Sequence, residues 1–205
     1  MLVALVVIGL IFISVLIALF AKAGEASTES KTVTANTDKI IIFDTETTGI
    51  DPSKDEILEL AIMNAFGDVL FNERIKPQNR KRWPNAEAVH GISPKDVQDC
   101  KTFAEYKNQI QGIFDNAEAI VGYNIDFDKK FISAAGIHFN SRYTVDIMKQ
   151  FADKRKIWDD RHGHNKWFKL EEAAKFYNYT FEAHHALDDT KATLFIFNKL
   201  NGLED

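Results

Sequence analysis

Lys39-Ile-Ile-Ile-Phe-Asp-Thr-Glu-Thr-Thr-Gly49 is an apolar run that ends in two carboxylates and a turn. Lys39 to Phe43 reads as a short buried strand. Alternate residues of a strand share a face. Asp44 and Glu46 therefore point one way at the end of that strand, and Phe43 and Thr45 point the other. Gly49 then permits a tight turn. Taken alone, the stretch is equally well read as two solvated acids at a strand end. The rest of the chain decides whether they have partners.

Working outward, Glu56 to Phe66 and Val69 to Ile75 read as two further strands, with Gly67-Asp68 as the hairpin turn between them. Pro77 to Pro84 reads as an irregular basic loop. Ser93-Pro94 is expected to open a short helix, with proline at its tolerated first position. Thr102 is a candidate cap for a helix over Phe103 to Phe114. Ala119 to Tyr123 is a buried strand leading into a helix from Ile125 to Ala135. Tyr143 to Ile147 is a fifth strand, again followed by a helix. Leu170 to Tyr177 and Leu187 to Leu200 supply the last helices. A three-strand meander followed by two strand–helix units predicts an α/β layer fold with a mixed five-stranded sheet.

The chain has 30 acidic residues, so any choice among them needs a physical reason. On a helix, Asp128 aligns with Phe131, Ile132 and Ala135, the inward stripe, whereas Asp126 aligns with Lys129 and Lys130 as the outward acid of a surface pair. Asp189 lies in the stripe Ala186, Asp189, Thr193, Ile196, Leu200. A carboxylate on an apolar stripe needs a partner, because burying an unpaired charge is costly. Asp188 lies on a mixed face. His184 and His185 both precede this helix, and helical spacing does not choose between them. Asp44, Glu46, Asp128 and Asp189 together form an oxygen-only ligand set suited to Mg²⁺ or Mn²⁺. A nearby histidine adds an acceptor for a proton from water.

Asp44-Thr-Glu46, Asn124-x-x-Phe127-Asp128 and His184-x-Ala-Leu-x-Asp189, in that order, resemble the DEDDh branch of 3′→5′ exonucleases. That group includes the proofreading epsilon subunit of bacterial DNA polymerase III, ribonuclease T and oligoribonuclease. Val89-His-Gly-Ile-Ser-Pro-Lys-Asp-Val97 with Thr102-Phe103 adds to the likeness, which runs from Lys39 to Leu200. The resemblance implies a ribonuclease H-like fold, two divalent cations, and removal of nucleoside 5′-monophosphates from the 3′ end of single-stranded DNA, with RNA as a further substrate. It selects His184 over His185, as the general base. It implies that Asp44 bridges both metals, that Glu46 and Asp189 hold the one carrying the nucleophilic water, and that Asp128 serves the other. It places Thr47, His90, Tyr123, Asn124 and Phe127 around the terminal nucleotide. Many members carry His-Asn where this chain carries Tyr123-Asn124. An aspartyl-nucleophile phosphatase is a rival reading of Asp44-x-Glu46, but it leaves His184 and Asp189 without a role. A catalytically silent nucleic-acid-binding membrane module is a second rival, and it leaves the complete acid set unexplained.

Leu2 to Phe20 is unbroken by charge and would extend about 28 Å as a helix, close to the hydrocarbon thickness of a bilayer. Residues 1–21 are expected to be a single-pass membrane anchor. Residues 22–38, small and polar, form a linker, and 39–205 the exonuclease domain. A cleaved signal peptide fits less well, because no basic residue precedes the run and the run is long for a signal core. Lys22 on the C-terminal flank places the folded part on the cytoplasmic side. The single Cys100 excludes an intrachain disulfide, and a net charge of −5 argues against a strong non-specific grip on nucleic acid. Bound cations would reverse the field locally. Arg80-Lys-Arg-Trp83 and Lys154-Arg-Lys-Ile-Trp158 each set cations beside a tryptophan. Strand contact by stacking and phosphate pairing is one reading. A solvated loop with the aromatic tucked into the core is the plainer one. Arg161-His-Gly-His164 reads as an exposed loop, and His138 as structural.

Overall fold

The computed structural model describes residues 39–203. The expected anchor (1–21) and linker (22–38) lie outside the described residues. No helix among the described residues is long and apolar enough to cross a membrane. Five strands form one sheet: β1 (Ile40–Thr47), β2 (Ile57–Asn64), β3 (Val69–Arg74), β4 (Ala119–Gly122) and β5 (Tyr143–Asp146). Their order is β3-β2-β1-β4-β5. β1 runs antiparallel to β2 and parallel to β4, and β4 runs parallel to β5. The expected mixed sheet is therefore present. The helices are α1 (Pro84–His90), α2 (Phe103–Asn116), α3 (Ile125–Ala134), α4 (Ile147–Arg155), α5 (Leu170–Phe176) and α6 (Ala186–Asn201).

The central strand is apolar on both faces because both faces are covered. Ile41 and Phe43 pack with Phe114 of α2 and Phe131 of α3. Ile40 and Ile42 pack with Phe151 of α4 and with Ile196 and Phe197 of α6. The sheet is thus sandwiched between two helical layers, and α3 and α6 reach it from opposite sides. Pairing between β1 and β4 extends only from Ile40 to Ile42, opposite Ala119 to Val121. Beyond Ile42, β1 continues alone on that side while β4 turns into α3. A Cβ on Gly122 would stand 2.9 Å from Ile125 Cγ1, so only glycine lets the chain turn this tightly.

Several local features depart from expectation. β1 does not stop at Phe43 but runs to Thr47, with a bulge after Glu46 that shifts its register against β2. The carboxylates therefore lie within the strand. Gly49 is needed for close approach, since a Cβ there would fall onto the Asp55 carboxylate. Helix α1 was not anticipated, although Pro84 sits at its start and Gly91 ends it in the left-handed conformation. Ser93-Pro94 opens a run of turns rather than a helix, held by Ser93 N–H and Oγ donating to Asp96 Oδ2 at 2.8 and 2.6 Å. At Thr102 the expected cap is present: the Glu105 carboxylate accepts from Thr102 N–H and Oγ at 2.8 and 2.9 Å. Residues 158–165 form a small hairpin, β6 (Trp158–Asp159) with β7 (His164–Asn165), and the exposed loop expected at residues 161–164 falls on its turn and the first residue of β7.

Phe114 is fully buried and meets Phe43 and Phe139 edge-on, with ring centroids 5.2 and 5.1 Å away. Phe114→Ala is expected to cost about 3–5 kcal/mol of unfolding free energy. Phe66→Ala, at an exposed turn, should stay within about 0.5 kcal/mol. Equilibrium urea unfolding of the two variants measures the difference.

Candidate active site

The overhang of β1 past β4 is where the acids gather. A cavity of about 290 Å³ opens there, lined by Asp44, Glu46, Asp128 and Asp189 together with His184 and Glu171. Asp44 and Glu46 share the face of β1 that meets α6. Asp128 comes from α3 on the opposite face and Asp189 from the first turn of α6. No lysine or arginine lines the cavity.

Each side chain is held by an identifiable device. Past Ile42, Thr45 N–H faces no ladder partner on the β4 side. It donates instead to Asp128 Oδ1 at 3.0 Å, and Thr45 Oγ donates to the same oxygen at 2.6 Å. Two donors fix one oxygen of Asp128. Thr45, read from sequence as merely pointing away from the acids, is thus the clamp between α3 and β1. Asp189 is buried and accepts from His184 N–H at 3.3 and 3.2 Å through its two oxygens. That bond holds His184 at φ +68, a left-handed backbone that costs a non-glycine residue about 1–3 kcal/mol. The His184 ring is left half-exposed, with Nε2 3.9 Å from Glu171 Oε1. His185 instead stands at the N-cap position of α6 without a side-chain cap bond, its ring Nε2 3.9 Å from Glu182 Oε1.

Glu59 was missed. It lies opposite Glu46 on the same sheet face, alternating with Ala61 and Met63. Its Oε2 accepts the first N–H of α6, Ala186, at 2.9 Å, while Arg74 Nε stands 3.4 Å from Oε1. An anion at a helix N-terminus is favourable, so Glu59 pins the helix that carries Asp189. The signal was available: one acid at an inward position of the otherwise apolar Ile57-Leu-Glu-Leu-Ala-Ile-Met63.

Of the residues expected near a terminal nucleotide, Tyr123, Asn124 and Phe127 line the cavity, whereas Thr47 and His90 do not. The Tyr123 hydroxyl donates to the Phe168 carbonyl at 2.8 Å, so the ring, not the hydroxyl, faces the cavity. Thr47 is buried with Oγ donating to Gly49 O at 2.6 Å. His90 is 5% exposed and spends both ring nitrogens on backbone. Ile92 N–H donates to Nδ1 at 3.0 Å, which makes Nδ1 the acceptor. Nε2 then carries the proton and donates to Thr47 O at 3.1 Å. Burial lowers the His90 pKa, and the neutral ring acts as a clasp between α1 and the end of β1. The rejected acids are accounted for. Asp126 pairs with Lys149 at 2.9 Å and Asp188 with Lys191 at 2.9 Å, both at the surface. The Lys149 partner differs from the Lys129 and Lys130 expected.

The electrostatics follow from burial of like charges. Asp44 is raised well above the usual carboxylate range by burial, then by Asp128, Asp189 and Glu46. Glu46 is pushed up to about 8 by burial and by Asp189. Burial lifts Asp128 to about 7 against the opposing Thr45 bonds, and lifts Asp189 to about 7 against the His184 N–H bond. Glu46, His184 and Asp189 each present one ligand atom, all within 4.8 Å of one another. Oxygen donors without a compensating cation fit a hard divalent ion. A larger groove of about 400 Å³, bordered by loop 52–57 and α2, holds no such set. Its acids are spent internally, Asp55 on Arg80 at 2.9 Å and Glu56 on the N–H groups of residues 78–80.

A sheet of this order, flanked by helices and with carboxylates converging at the end of its central strand, is a ribonuclease H-like fold. A family model described as exonuclease (RNase_T) matches residues 41–197, and the chain belongs to that family. The PolC-type DNA polymerase III of Thermotoga petrophila is 25% identical over 168 residues, 77% of this chain and 11% of that protein. The DNA polymerase III subunit epsilon of Buchnera aphidicola is 32% identical over 107 residues, 48% of this chain and 45% of the relative. The chain thus spans only about a tenth of the PolC-type relatives it matches. Among solved structures, E. coli ExoI bound to single-stranded DNA superposes with a TM-score of 0.65 at 20% identity, covering 80% of this chain and 40% of that one. Exonuclease X in complex with 5′ overhanging duplex DNA gives 0.58 at 19%, covering 80% and 92%.

The raised carboxylates set a stability test. Their folded pKa values lie above the usual 3.8–4.5, so the stabilisation is full below that range and is lost as pH rises through 7–8. The metal-free protein should therefore melt at a higher temperature near pH ~5.5 than near pH ~8. Mn²⁺ should raise Tm more at the higher pH. Asp189→Asn should raise the metal-free Tm near pH ~8 and shrink the Mn²⁺ increment. Differential scanning fluorimetry at both pH values reads all three, and a Tm independent of pH and metal contradicts the account.

Proposed function

We propose that this chain is a divalent-metal-dependent 3′→5′ exonuclease on single-stranded nucleic acid, preferring DNA to RNA and releasing nucleoside 5′-monophosphates. The observation that carries the reading is the convergence of Asp44, Glu46, Asp128 and Asp189 on one cavity that no lysine or arginine lines and that a half-exposed histidine borders. Asp44, Glu46 and Asp189 on one side and Asp128 on the other would hold two cations, Mg²⁺ or Mn²⁺. Such ions neutralise a phosphate and lower the pKa of water. The relatives named as DNA polymerases, and the structures solved with DNA, support the preference for DNA.

The residues of the chain supply the rest. His184 takes a proton from water as its oxygen bonds to the last phosphodiester phosphorus. The bond from phosphorus to the O3′ of the penultimate nucleotide breaks, and the departing O3′ takes a proton from solvent, leaving a new 3′ hydroxyl and a free 5′-monophosphate. Glu171, 3.9 Å from Nε2, steadies the imidazolium that forms. The half-exposed ring already borders the cavity, with a nitrogen within 4.8 Å of Glu46 and Asp189 oxygens, and the Asp189 bond to its backbone fixes its position. Tyr123 and Phe127 offer ring surface for the terminal base, and Asn124 an amide. Thr47 and His90 act behind them by holding the end of β1.

The test uses 5′-labelled single-stranded DNA and RNA with Mg²⁺ or Mn²⁺. A ladder shortening from the 3′ end is expected, abolished by a blocked 3′ terminus. Asp44→Ala and His184→Ala should each lower kcat by about 10²-fold or more. Undiminished turnover of His184→Ala overturns its role, and binding without metal-dependent cleavage points to a silent module.

We further propose that residues 1–21 anchor the chain in a membrane with the catalytic domain on the cytoplasmic side. The uncharged run Leu2–Phe20 and the flanking Lys22 support this. Resistance of the full chain to alkaline carbonate extraction is the expected result, and release into the supernatant contradicts it.

A further inference from the structure

Of the two cation–tryptophan clusters, the structure separates one from the other. Trp83 is 4% exposed and its Nε1–H donates to Ile92 O at 2.7 Å, while Arg80 is spent on Asp55. That cluster is a latch. The second is presented to solvent: Trp158 is 61% exposed, Trp167 47% and Ile157 41%. Around the β6–β7 hairpin, Trp167 stacks on His164 with centroids 4.3 Å apart and planes 16° apart, and His164 stacks in turn on His162 at 5.7 Å. Residues 154–169 carry six lysines and arginines against two aspartates, in a chain whose net charge is −5. One of those acids, Asp159, is spent on a neighbour, its Oδ2 2.8 Å from His162 Nδ1. Lys156, Arg161, Lys166 and Lys169 are all exposed.

This surface is joined directly to the cavity. Trp167 lies three residues before Leu170, which lines the cavity beside Glu171, so their Cα atoms are at most about 11 Å apart. The cavity residue Tyr123 bonds the carbonyl of Phe168, between the two. We propose, building on the nuclease reading, that the β6–β7 hairpin is a second strand-binding site: it grips the nucleotides upstream of the 3′ end, with bases stacking on Trp158 and Trp167 and phosphates meeting Arg161 and Lys166. Aromatic faces among cations are what a single strand of arbitrary sequence requires, and the local charge complements a polyanion. Short and long substrates are then held differently. A trinucleotide is held by the cavity alone, and a 12-mer by both sites.

The full chain in detergent micelles is tested with 5′-fluorescein oligodeoxythymidylates of 3 and 12 nucleotides. Affinity is read by anisotropy in EDTA, and cleavage separately with Mn²⁺. Trp158→Ala/Trp167→Ala should weaken 12-mer binding about tenfold and leave trinucleotide cleavage unchanged. Arg161→Glu/Lys166→Glu, which retains the aromatics, should do the same and flatten the salt dependence. Wild-type affinity of both variants for the 12-mer overturns the inference even when the trinucleotide is cleaved. So do variants altered only in their attachment to phosphatidylglycerol vesicles, which would make the hairpin a membrane contact. A wild-type chain that cleaves neither length sinks the nuclease reading itself.

Discussion

Four carboxylates share one small, partly buried space, and the surrounding structure is organised around keeping them there. Each is raised above its ordinary pKa by burial, and neighbouring anions raise all four further. No lysine or arginine in the cavity offsets this. Left to relax, such a cluster would spread or take up protons. The fold prevents spreading by supplying the acids from elements that are themselves fixed: a central strand with both faces covered, and helices packed on either side of it. The ordinary hydrophobic core therefore holds a repulsive arrangement in readiness for cations.

The points of attachment explain how opposite layers meet. α3 and α6 never share a sheet face, yet Asp128 and Asp189 arrive in one cavity because β1 outruns β4. The Thr45 backbone donor, deprived of a strand partner, binds a helix carboxylate instead. On the other layer, Glu59 captures the opening N–H of α6, and Asp189 captures the N–H of His184. Backbone donors that would otherwise be orphaned thus become the fixings of the site.

Much of this was legible in the chain. The alternation Asp44-x-Glu46, the helical stripe below Asp128 and the apolar stripe carrying Asp189 all follow from simple periodicity, and the structure places them as read. The choice between His184 and His185 was not legible from spacing, because it depends on a left-handed backbone at one residue. Thr45 and Glu59 escaped because their roles arise between elements: one depends on where β4 stops, the other on which helix end lies over β2. α1 escaped although its boundary residues were visible, because seven residues carry too little periodicity. The tryptophans looked alike in sequence, and only packing distinguishes the buried Trp83 from the solvent-facing Trp158.

The bulge after Glu46 divides β1 into two regimes of tolerance. Upstream of it, strict alternation ties each side chain to a layer, so a single-residue insertion between Phe43 and Asp44 would exchange the acids with their threonine neighbours and hand them to the wrong helix. Downstream, the strand has already lost step with β2, and an added residue there turns no acid over. What constrains the segment from Thr47 to Asp55 is instead its own contacts, Thr47 O with His90 and Gly49 against Asp55, while the four residues before Asp44 are held to a fixed count by the alternation.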